Sequence, residues 1–369
     1  MNKYSVQLLN FQLNYLNFAS FKAENYSMNN YFKDFKRTFV IAEIGVNHNN
    51  DMSLAKKLVI NAKYAGADAV KFQTFKASNL VIPGTRKVKY QLRSLKDKED
   101  HYQMIKKLEL SYDDHKILFE FCKKKKIMFL STPYDVDSAK FLNSLGVKIF
   151  KTASADLIDY NLHNYLAKLK KPVIISTGMS LLKDIKKTLQ IYKRNKNPNI
   201  VLLHCVSNYP CSLKSINLNA LNTLKELGFK VGYSDHSDNI LVPSLAVSAG
   251  SKIIEKHFTL NKNLKGPDHK ASFNTEEFKK MVHQIRKVEL IMGKKIKKIQ
   301  PEEFEMSKIS KKSLYFKKDL KKGSKIKNSD LILLRPGLGI NPFSIEKVVG
   351  KKLRKDIKKN QIVKFNLIF

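Results

Sequence analysis

The chain has 369 residues, 43% of them hydrophobic, which is enough to build one large core and a second, smaller one. No apolar run approaches the roughly 20 residues that a membrane-spanning helix needs, so we do not expect a membrane protein. Its three cysteines, Cys122, Cys205 and Cys211, have no spacing typical of a disulfide framework, and this favours a reducing cytoplasm.

The charge is strongly positive, because 69 Lys and Arg residues against 32 Asp and Glu give a net charge of +37. Such an excess can indicate nucleic-acid binding. Here it is nearly all lysine, it is spread along the chain in short runs, and no recognisable nucleic-acid module accompanies it. We therefore favour a lysine-rich solvated surface over a specific nucleic-acid site, and we expect its field to help anionic small molecules approach.

Residues 1–36 are rich in Asn, Tyr, Phe and Lys, and they lack the continuous apolar stretch of a secretory signal. We interpret them as an N-terminal extension. Met28 is an alternative start of the protein, and a short organellar transit segment is a second alternative.

From Phe39 onward, apolar strand-like runs alternate with helical patterns eight times over about 250 residues, which is the count of a (β/α)8 TIM barrel. Helix signals agree, since Asp51 precedes the first helical pattern, at 53–65, and glycines such as Gly66 and Gly146 close helical patterns before the next strand. Between the second and third strands we predict one helix, over residues 102–126. We place the barrel at residues 37–295. The predicted strands are 39–44, 67–74, 127–131, 148–152, 173–176, 201–206, 230–234 and 252–258.

The end of the chain changes character after a lysine-rich linker at residues 296–310. Within residues 311–369, short β-like runs at 313–316, 331–334 and 361–365 are separated by turns rich in Gly and Pro. These features predict a small, separate, mostly β domain. Its role is either that of a stabilising appendage or that of supplying Arg335 to an active site.

Polar side chains collect at the carboxyl ends of the predicted strands, which is where barrel enzymes carry their chemistry. Lys71 and Lys151 stand out, because each lies within an apolar strand, where an ammonium group is costly unless an anion is bound. The polar residues at these ends are Glu43, Lys71, Gln73, Thr132, Lys151, Ser154, Ser176, Thr177, His204, Ser207, Tyr209, Ser234, Asp235, His236, Glu255 and His257.

Two of these residues, His236 and His257, follow neighbouring strands and each lies close to a carboxylate. That arrangement suits a divalent metal ion held at the mouth of a parallel barrel. The alternative interpretation is two ordinary polar loop histidines.

Eight sequence blocks surround these strand ends. They are IAEIGVNHN at 41–49, VKFQT at 70–74, FLSTP at 129–133, STGM at 176–179, LHCVSNYP at 203–210, GYSDH at 232–236, EKHFT at 255–259 and GPDHKAS at 266–272. In this order and spacing they resemble the sialic acid synthase family. The C-terminal residues resemble the antifreeze-like (SAF) domain that these enzymes carry, so the resemblance runs from about Phe39 to the end of the chain.

The resemblance implies condensation of phosphoenolpyruvate with an N-acetylated hexosamine and water, giving phosphate and a nine-carbon 2-keto acid. We place N-acetylmannosamine first, as the precursor of N-acetylneuraminate, because of the run at 268–272. A synthase for legionaminic or another nonulosonic acid, using a 6-deoxy diacetamido sugar, is the alternative. A non-catalytic binder of polyanions or nucleic acid is a distant third. The resemblance also implies Mn²⁺ or Mg²⁺ as cofactor and a cytoplasmic, domain-swapped homodimer.

The resemblance further implies a role for each site residue. His236 and His257 would bind the metal, and Glu43 would act as general base or position the attacking water. The phosphoenolpyruvate site would comprise Lys71, Thr132, Lys151, Ser154, Ser176, Ser207 and Ser234. The sugar site would comprise Gln73, Asp156, Tyr209, Asp268 and, from the neighbouring subunit, Arg335.

Four residues depart from the family pattern. Asn50 stands where the family usually has Gly, and we expect it to adopt the same left-handed turn. Ala155 and Asp156 replace a Gly-Glu pair, so the shorter carboxylate bears on whether Asp156 contacts the sugar and on which sugar fits. Ser207 stands where some members carry Asn.

Overall fold

The structure, a computed structural model, describes residues 37–94 and 98–369. The predicted extension at residues 1–36 lies outside the described residues. The chain divides into two compact units after Gly293, where the sequence analysis ended the barrel at residue 295. No helix in the described part of the chain is both long enough and apolar enough to cross a membrane.

The first unit is built on eight parallel strands, which confirms the predicted (β/α)8 barrel. Hydrogen bonding gives the order β3-β2-β1-β8-β7-β6-β5-β4, and β4 packs beside β3 without a paired register. The strands are β1 (Phe39–Gly45), β2 (Ala69–Thr74), β3 (Met128–Pro133), β4 (Phe150–Thr152), β5 (Val173–Ser176), β6 (Ile200–His204), β7 (Lys230–Asp235) and β8 (Ile253–His257).

Helices follow every strand. Asp51 caps the first of them, accepting hydrogen bonds from the backbone N–H groups of Ser53 and Leu54. The helices are α1 (Met52–Tyr64), α2 (Ala77–Leu80), α3 (Lys89–Ser94), α4 (His101–Lys107), α5 (Tyr112–Lys124), α6 (Val136–Leu145), α7 (Tyr160–Lys168), α8 (Leu182–Arg194), α9 (Ala220–Glu226), α10 (Leu241–Ser248) and α11 (Thr275–Met292).

The helical pattern between β2 and β3, predicted as one helix over residues 102–126, forms two helices, α4 and α5. Each has its own start, because Asp100 caps α4 and Ser111 caps α5, both in capping boxes. Helices α2, α3 and α4 belong to the segment that we call the cap, whose described residues are 75–94 and 98–110.

The alternation of side chains along each strand creates two apolar layers. Val40, Ala42 and Ile44 of β1 face outward and pack in the large cluster beneath the helices. Ile41 of β1 belongs instead to a second cluster, which fills the barrel interior with residues such as Leu130. Because this parity continues to the strand ends, residues such as 43, 71, 151 and 255 also point inward.

The second unit contains helix α12 (Phe304–Ser310) and an antiparallel pair, β9 (Ser313–Phe316) with β10 (Leu331–Leu334). A separate apolar core supports it, as expected for a small domain. The predicted run at 361–365 is not a strand. It makes a single bridge, between Tyr315 and Ile362, because Asn360 turns before it with φ of 63° and a 3-10 helix, Phe365–Leu367, follows directly.

Candidate active site

A cavity of about 390 Å³ opens at the carboxyl ends of the barrel strands, within the range of about 300–1,000 Å³ typical of small-molecule sites. Inward-facing side chains from all the strands except β6, whose following loop contributes instead, form its floor. The structure brings together thirteen of the predicted site residues there: Glu43, Lys71, Gln73, Thr132, Lys151, Ser154, Ser176, Ser207, Tyr209, Ser234, His236, His257 and Asp268.

Two lysines and two carboxylates form a buried ion cluster in the floor. The Nζ atom of Lys71 lies 2.7 Å from Oε2 of Glu43 and 3.7 Å from Oε2 of Glu255. The Nζ atom of Lys151 lies 3.6 Å from Oε1 of Glu255. The sequence analysis attributed the two buried lysines to a bound anion alone, whereas the structure also pairs them with carboxylates. Glu255 had no assigned role, although its place on β8, two residues before His257, put it on the same inward face.

The pKa values of the two carboxylates in this cluster are shifted in opposite directions. Burial opposes ionisation of Glu255, but the ammonium groups of Lys151 and Lys71 lower its pKa to about 2. Burial raises the pKa of Glu43, and the nearby charge of Glu255 adds to the effect against the pull of Lys71. Glu255 therefore stays ionised in the floor, and Glu43 is the carboxylate suited to exchange a proton.

A hydroxyl group accepts a hydrogen bond from each of the two lysines. Nζ of Lys151 donates to Oγ of Ser176 at 2.6 Å, and Nζ of Lys71 donates to Oγ1 of Thr132 at 3.0 Å. The same ammonium groups have further hydrogens to offer a ligand, since each can donate three hydrogen bonds.

Gly178, just after β5, lets three polar side chains close on the main chain. A Cβ atom at this position would lie 2.5 Å from Oγ of Ser207, 2.9 Å from Sγ of Cys205 and 2.9 Å from Oγ of Ser154. Only glycine fits so close an approach, and its N–H donates to Oγ of Ser154 at 3.0 Å. Gly178 lies in a block that the sequence analysis quoted, but the need for glycine there appears only once the three strands meet.

The two histidines lie side by side, with ring centroids 5.6 Å apart. Nδ1 of His236 donates to the carbonyl of Val206 at 2.7 Å, which leaves the lone pair on Nε2. Nδ1 of His257 is buried without a hydrogen-bond partner among the described residues, 3.9 Å from Oδ2 of Asp268. Burial lowers the pKa of His236 to about 4 and that of His257 well below its ordinary value, so both rings are neutral at pH 7.

Aromatic and loop residues enclose this corner. The ring of Tyr209 lies 4.2 Å from His236 and 4.9 Å from Tyr90 of the cap, centroid to centroid. Nδ2 of Asn47 donates to Oγ of Ser272 at 2.8 Å, and that hydroxyl donates to the carbonyl of Asp268 at 2.7 Å. The turn after β1 therefore holds the loop that carries Asp268.

The cap gives the cavity an apolar wall opposite its charged floor. The side chains come from the stretch between β2 and β3 and belong partly to a small apolar cluster of their own. The place of this stretch in the site was missed, because only a helical pattern over residues 102–126 was predicted there. The apolar side chains are Phe75, Leu80, Val88, Met104, Ile105 and Leu108, and Tyr90, Gln91 and His101 of the same stretch add polar groups to the lining.

Two known protein families match this chain. Residues 58–297 match the NeuB family, and residues 311–368 match the SAF domain. The chain belongs to the NeuB family. The predicted resemblance to the sialic acid synthase family is thereby confirmed.

Individual NeuB relatives align over nearly their whole length. The N,N'-diacetyllegionaminic acid synthase of Campylobacter jejuni is 44% identical over 89% of this chain and 99% of its own. The enzyme of the same name from Legionella pneumophila is 46% identical over 85% of this chain and 90% of its own. Among solved structures, N-acetylneuraminic acid synthetase from Leptospira borgpetersenii is 34% identical with a TM-score of 0.66, over 74% of this chain and 90% of that one.

The departures from the NeuB-family pattern have distinct structural outcomes. Asn50 has a φ of 56°, so the left-handed turn expected there is present. Asp156 lies on a 3-10 helix, Ala155–Ile158, and does not line the cavity, which its neighbours Ser154 and Ala155 do. Burial raises its pKa to about 7, and its Oδ2 has no hydrogen-bond partner among the described residues. Arg335 follows β10 in the second unit.

The donors at the histidine corner fit a divalent cation. Both imidazoles are neutral and buried, and the second nitrogen of His236 is fixed by a backbone carbonyl, as in ligating histidines. Across residues 37–94 and 98–369 no three His, Cys, Asp or Glu side chains gather as a metal cluster. A cation held by His236 and His257 would therefore keep positions for water or substrate oxygens.

Proposed function

We propose that the chain joins phosphoenolpyruvate to a 6-deoxy diacetamido hexose, with water, and releases phosphate and a nine-carbon acid of the legionaminic type. As a NeuB-family member the chain is a transferase of the sialic acid synthase type. The observation that carries the proposal is the cavity itself, with buried lysines in its floor, two neutral histidines beside them and an apolar wall above. The sequence analysis placed N-acetylmannosamine first, but the two bacterial relatives favour its alternative.

Phosphoenolpyruvate would bind over the floor. Its carboxylate and phosphate need about two cations and several donors in a dry pocket, which Lys71 and Lys151 supply with the surrounding hydroxyls. Donors placed around the phosphate also stabilise the charge that it carries away as leaving group. The hydroxyls are those of Thr132, Ser154, Ser176, Ser207 and Ser234.

His236 and His257 would hold Mn²⁺ or Mg²⁺, which when bound supplies Lewis-acid polarisation of the sugar aldehyde. The Tyr209 ring packs against His236, with ring centroids 4.2 Å apart. The aldehyde carbon would thus be presented to the methylene carbon of phosphoenolpyruvate held over the floor.

Glu43 would handle the proton of the water that attacks C2 of phosphoenolpyruvate. Nε2 of Gln73 donates to its Oε1 at 3.1 Å and orients the carboxylate, while burial raises its pKa towards the operating range. Lys71, at 2.7 Å, would offset the charge that Glu43 carries before it takes up the proton.

The sugar would lie between Asp268 and the cap. Gln73, Tyr209 and Asp268 offer polar groups to hydroxyls and an acetamido group, and the raised pKa of Asp268, about 7, reflects burial first and Glu43 second. The apolar wall suits a methyl group and an acetamido methyl. A hydroxymethyl packed against the apolar side chains, away from Gln91 and His101, would leave a hydroxyl unpaired at a cost of about 1–3 kcal/mol.

Acceptor choice can be tested by phosphate release from phosphoenolpyruvate and Mn²⁺ with a panel of N-acetyl sugars. We expect kcat/KM for 2,4-diacetamido-2,4,6-trideoxymannose to exceed that for N-acetylmannosamine by about 10-fold or more, from that unpaired hydroxyl. Chelation should stop the reaction and added Mn²⁺ should restore it. A preference for N-acetylmannosamine would reinstate the first assignment, and no release with any sugar would favour the non-catalytic binder.

We further propose that the chain acts as a domain-swapped homodimer in the cytoplasm, with Arg335 serving the partner's cavity. Arg335 is exposed, and the three cysteines, all in the described part, are free thiols that suit a reducing compartment.

The shared site predicts that Arg335→Ala raises KM for the sugar while KM for phosphoenolpyruvate changes little, because the guanidinium would meet only the sugar. Lys347→Ala removes another exposed cation from the same unit and serves as control. Mixing Arg335→Ala chains with inactive Lys151→Met chains should recover activity, since one mixed cavity regains both groups. Unchanged sugar kinetics in Arg335→Ala would reject the role, and no recovery on mixing would place Arg335 in its own chain's site.

A further inference from the structure

A second buried ion pair, Lys256 with Asp235, lies behind the histidines and has no part in the proposed chemistry. Both side chains have an exposure of 0%, and the two residues face each other in the β7–β8 register. Because side chains alternate along a strand, His236 and His257 point into the barrel while Asp235 and Lys256 point outward beneath the helices.

The contacts of Lys256 surround His236 along the chain. Its Nζ lies 2.9 Å from Oδ2 of Asp235, the residue before His236, and also donates to the carbonyl of Ser237, the residue after it. Oδ1 of Asp235 accepts the N–H of Ser237 at 3.0 Å. The ammonium lies 4.1 Å from the ring centroid of Phe273, which closes the site from the helix side. One side chain adjoining His257 therefore binds the carboxylate of the residue before His236 and the main-chain carbonyl of the residue after it.

Stability does not explain this placement. A buried ion pair seldom stabilises a fold more than apolar side chains of the same volume would, because both charges are removed from water. What the pair provides is a fixed geometry between two strand ends. The main chain of each histidine is held as well, since the carbonyl of His236 accepts the N–H of Cys211 at 2.7 Å and that of His257 accepts the N–H of Phe273 at 2.9 Å.

We propose that Lys256 and Asp235 are positioning residues that set the separation and orientation of His236 and His257 for one divalent cation. The inference rests on the proposed function, in that the two histidines hold the cation. Groups that orient metal ligands typically change metal affinity by about 10- to 100-fold when they are removed.

The decisive variant is the double change Asp235→Asn with Lys256→Met, which removes both charges and nearly preserves volume. The full-length protein should fold, because replacing both members of a buried pair is often close to neutral. Titration calorimetry with MnCl₂ should show an affinity about 10- to 100-fold weaker than wild type. Phosphoenolpyruvate binding without metal should stay unchanged, since the floor keeps its lysines.

The matched control is Asp68→Asn with Arg286→Met, which removes an ion pair of 3.1 Å at the amino-terminal end of the same barrel. It should change the melting temperature but leave Mn²⁺ affinity as in wild type. The single variant Asp235→Glu, which keeps both charges but moves the carboxylate by one methylene, should also weaken Mn²⁺ binding, and it replaces the double variant if that one fails to fold.

The outcomes are distinguishable. Wild-type Mn²⁺ affinity in the folded Asp235 and Lys256 variants would overturn the positioning role. An equal loss of affinity in the control pair would overturn it too, by assigning the effect to general destabilisation. If the wild type binds no Mn²⁺, or if His236→Ala binds it as tightly as wild type does, the proposed metal site itself fails and the inference fails with it.

Discussion

Lys151→Met is expected to lower kcat/KM for phosphoenolpyruvate by about a thousand-fold. Truncating one partner of a buried, hydrogen-bonded charge pair between two binding partners costs about 2–5 kcal/mol of binding, and each 1.36 kcal/mol is a factor of ten. Lys151 is buried to 2% exposure, donates to Ser176 and lies beside Glu255. Its loss leaves Glu255 with Lys71 alone and removes one of the two cations available to the substrate anion.

The measurement is phosphate release at saturating sugar, with phosphoenolpyruvate binding followed separately by calorimetry. Binding and kcat/KM should fall together, because the ammonium meets the substrate before and during reaction. Lys171→Met is the matched control, since Lys171 donates to the carbonyl of Val147 near the amino-terminal end of the barrel. Retention of a tenth of wild-type activity by Lys151→Met would remove this lysine from the anion site.

Glu43→Gln is expected to lower kcat by about 10²- to 10⁴-fold, the usual contribution of a positioned general acid or base. KM for phosphoenolpyruvate should change little, because the lysines and hydroxyls of the floor remain. The amide keeps an oxygen for the hydrogen bond from Gln73, so the change removes proton exchange more than it removes shape.

Single-turnover phosphate release would separate the chemical step from binding in this variant. Glu120→Gln, an equivalent change at an exposed helix position, should behave as wild type. A Glu43→Gln enzyme with normal single-turnover rates would show that the water is activated elsewhere, and Glu255 would then be the nearest carboxylate to examine.

Strand parity explains how much of the site could be predicted. Once Ile41 is placed inside the barrel, Glu43 must follow it inward, and the same argument places Lys71, Lys151 and His257. A polar residue at the end of an apolar run can therefore be identified as a site residue even when its contacts are unknown. Which side chains pair with one another could not be predicted in this way, because the contacts of Lys71 with Glu43 and Glu255 depend on the register of three strands.

Features that depend on contacts between distant segments of the chain could not be predicted from the sequence. Of the cap, only the part within residues 102–126 was predicted as helix, and an apolar helix face gives the same pattern whether it covers a core or a ligand. The run at 361–365 has strand-like composition, yet its neighbours turn too soon for a ladder to form. Asp156 follows a strand end as other site residues do, but the 3-10 turn at Ala155 carries it out of the cavity lining.

The cap comes from one part of the chain, between β2 and β3, while the charged floor is assembled from separate strands all around the barrel. In the proposed function, the apolar wall beside the sugar and the groups that carry out bond formation are therefore encoded in different parts of the gene. A change confined to that stretch reshapes the wall without touching Lys71, Lys151 or the histidines. If the proposed function holds, the fit to the sugar could therefore change through substitutions in this one stretch while the groups of the floor stay the same.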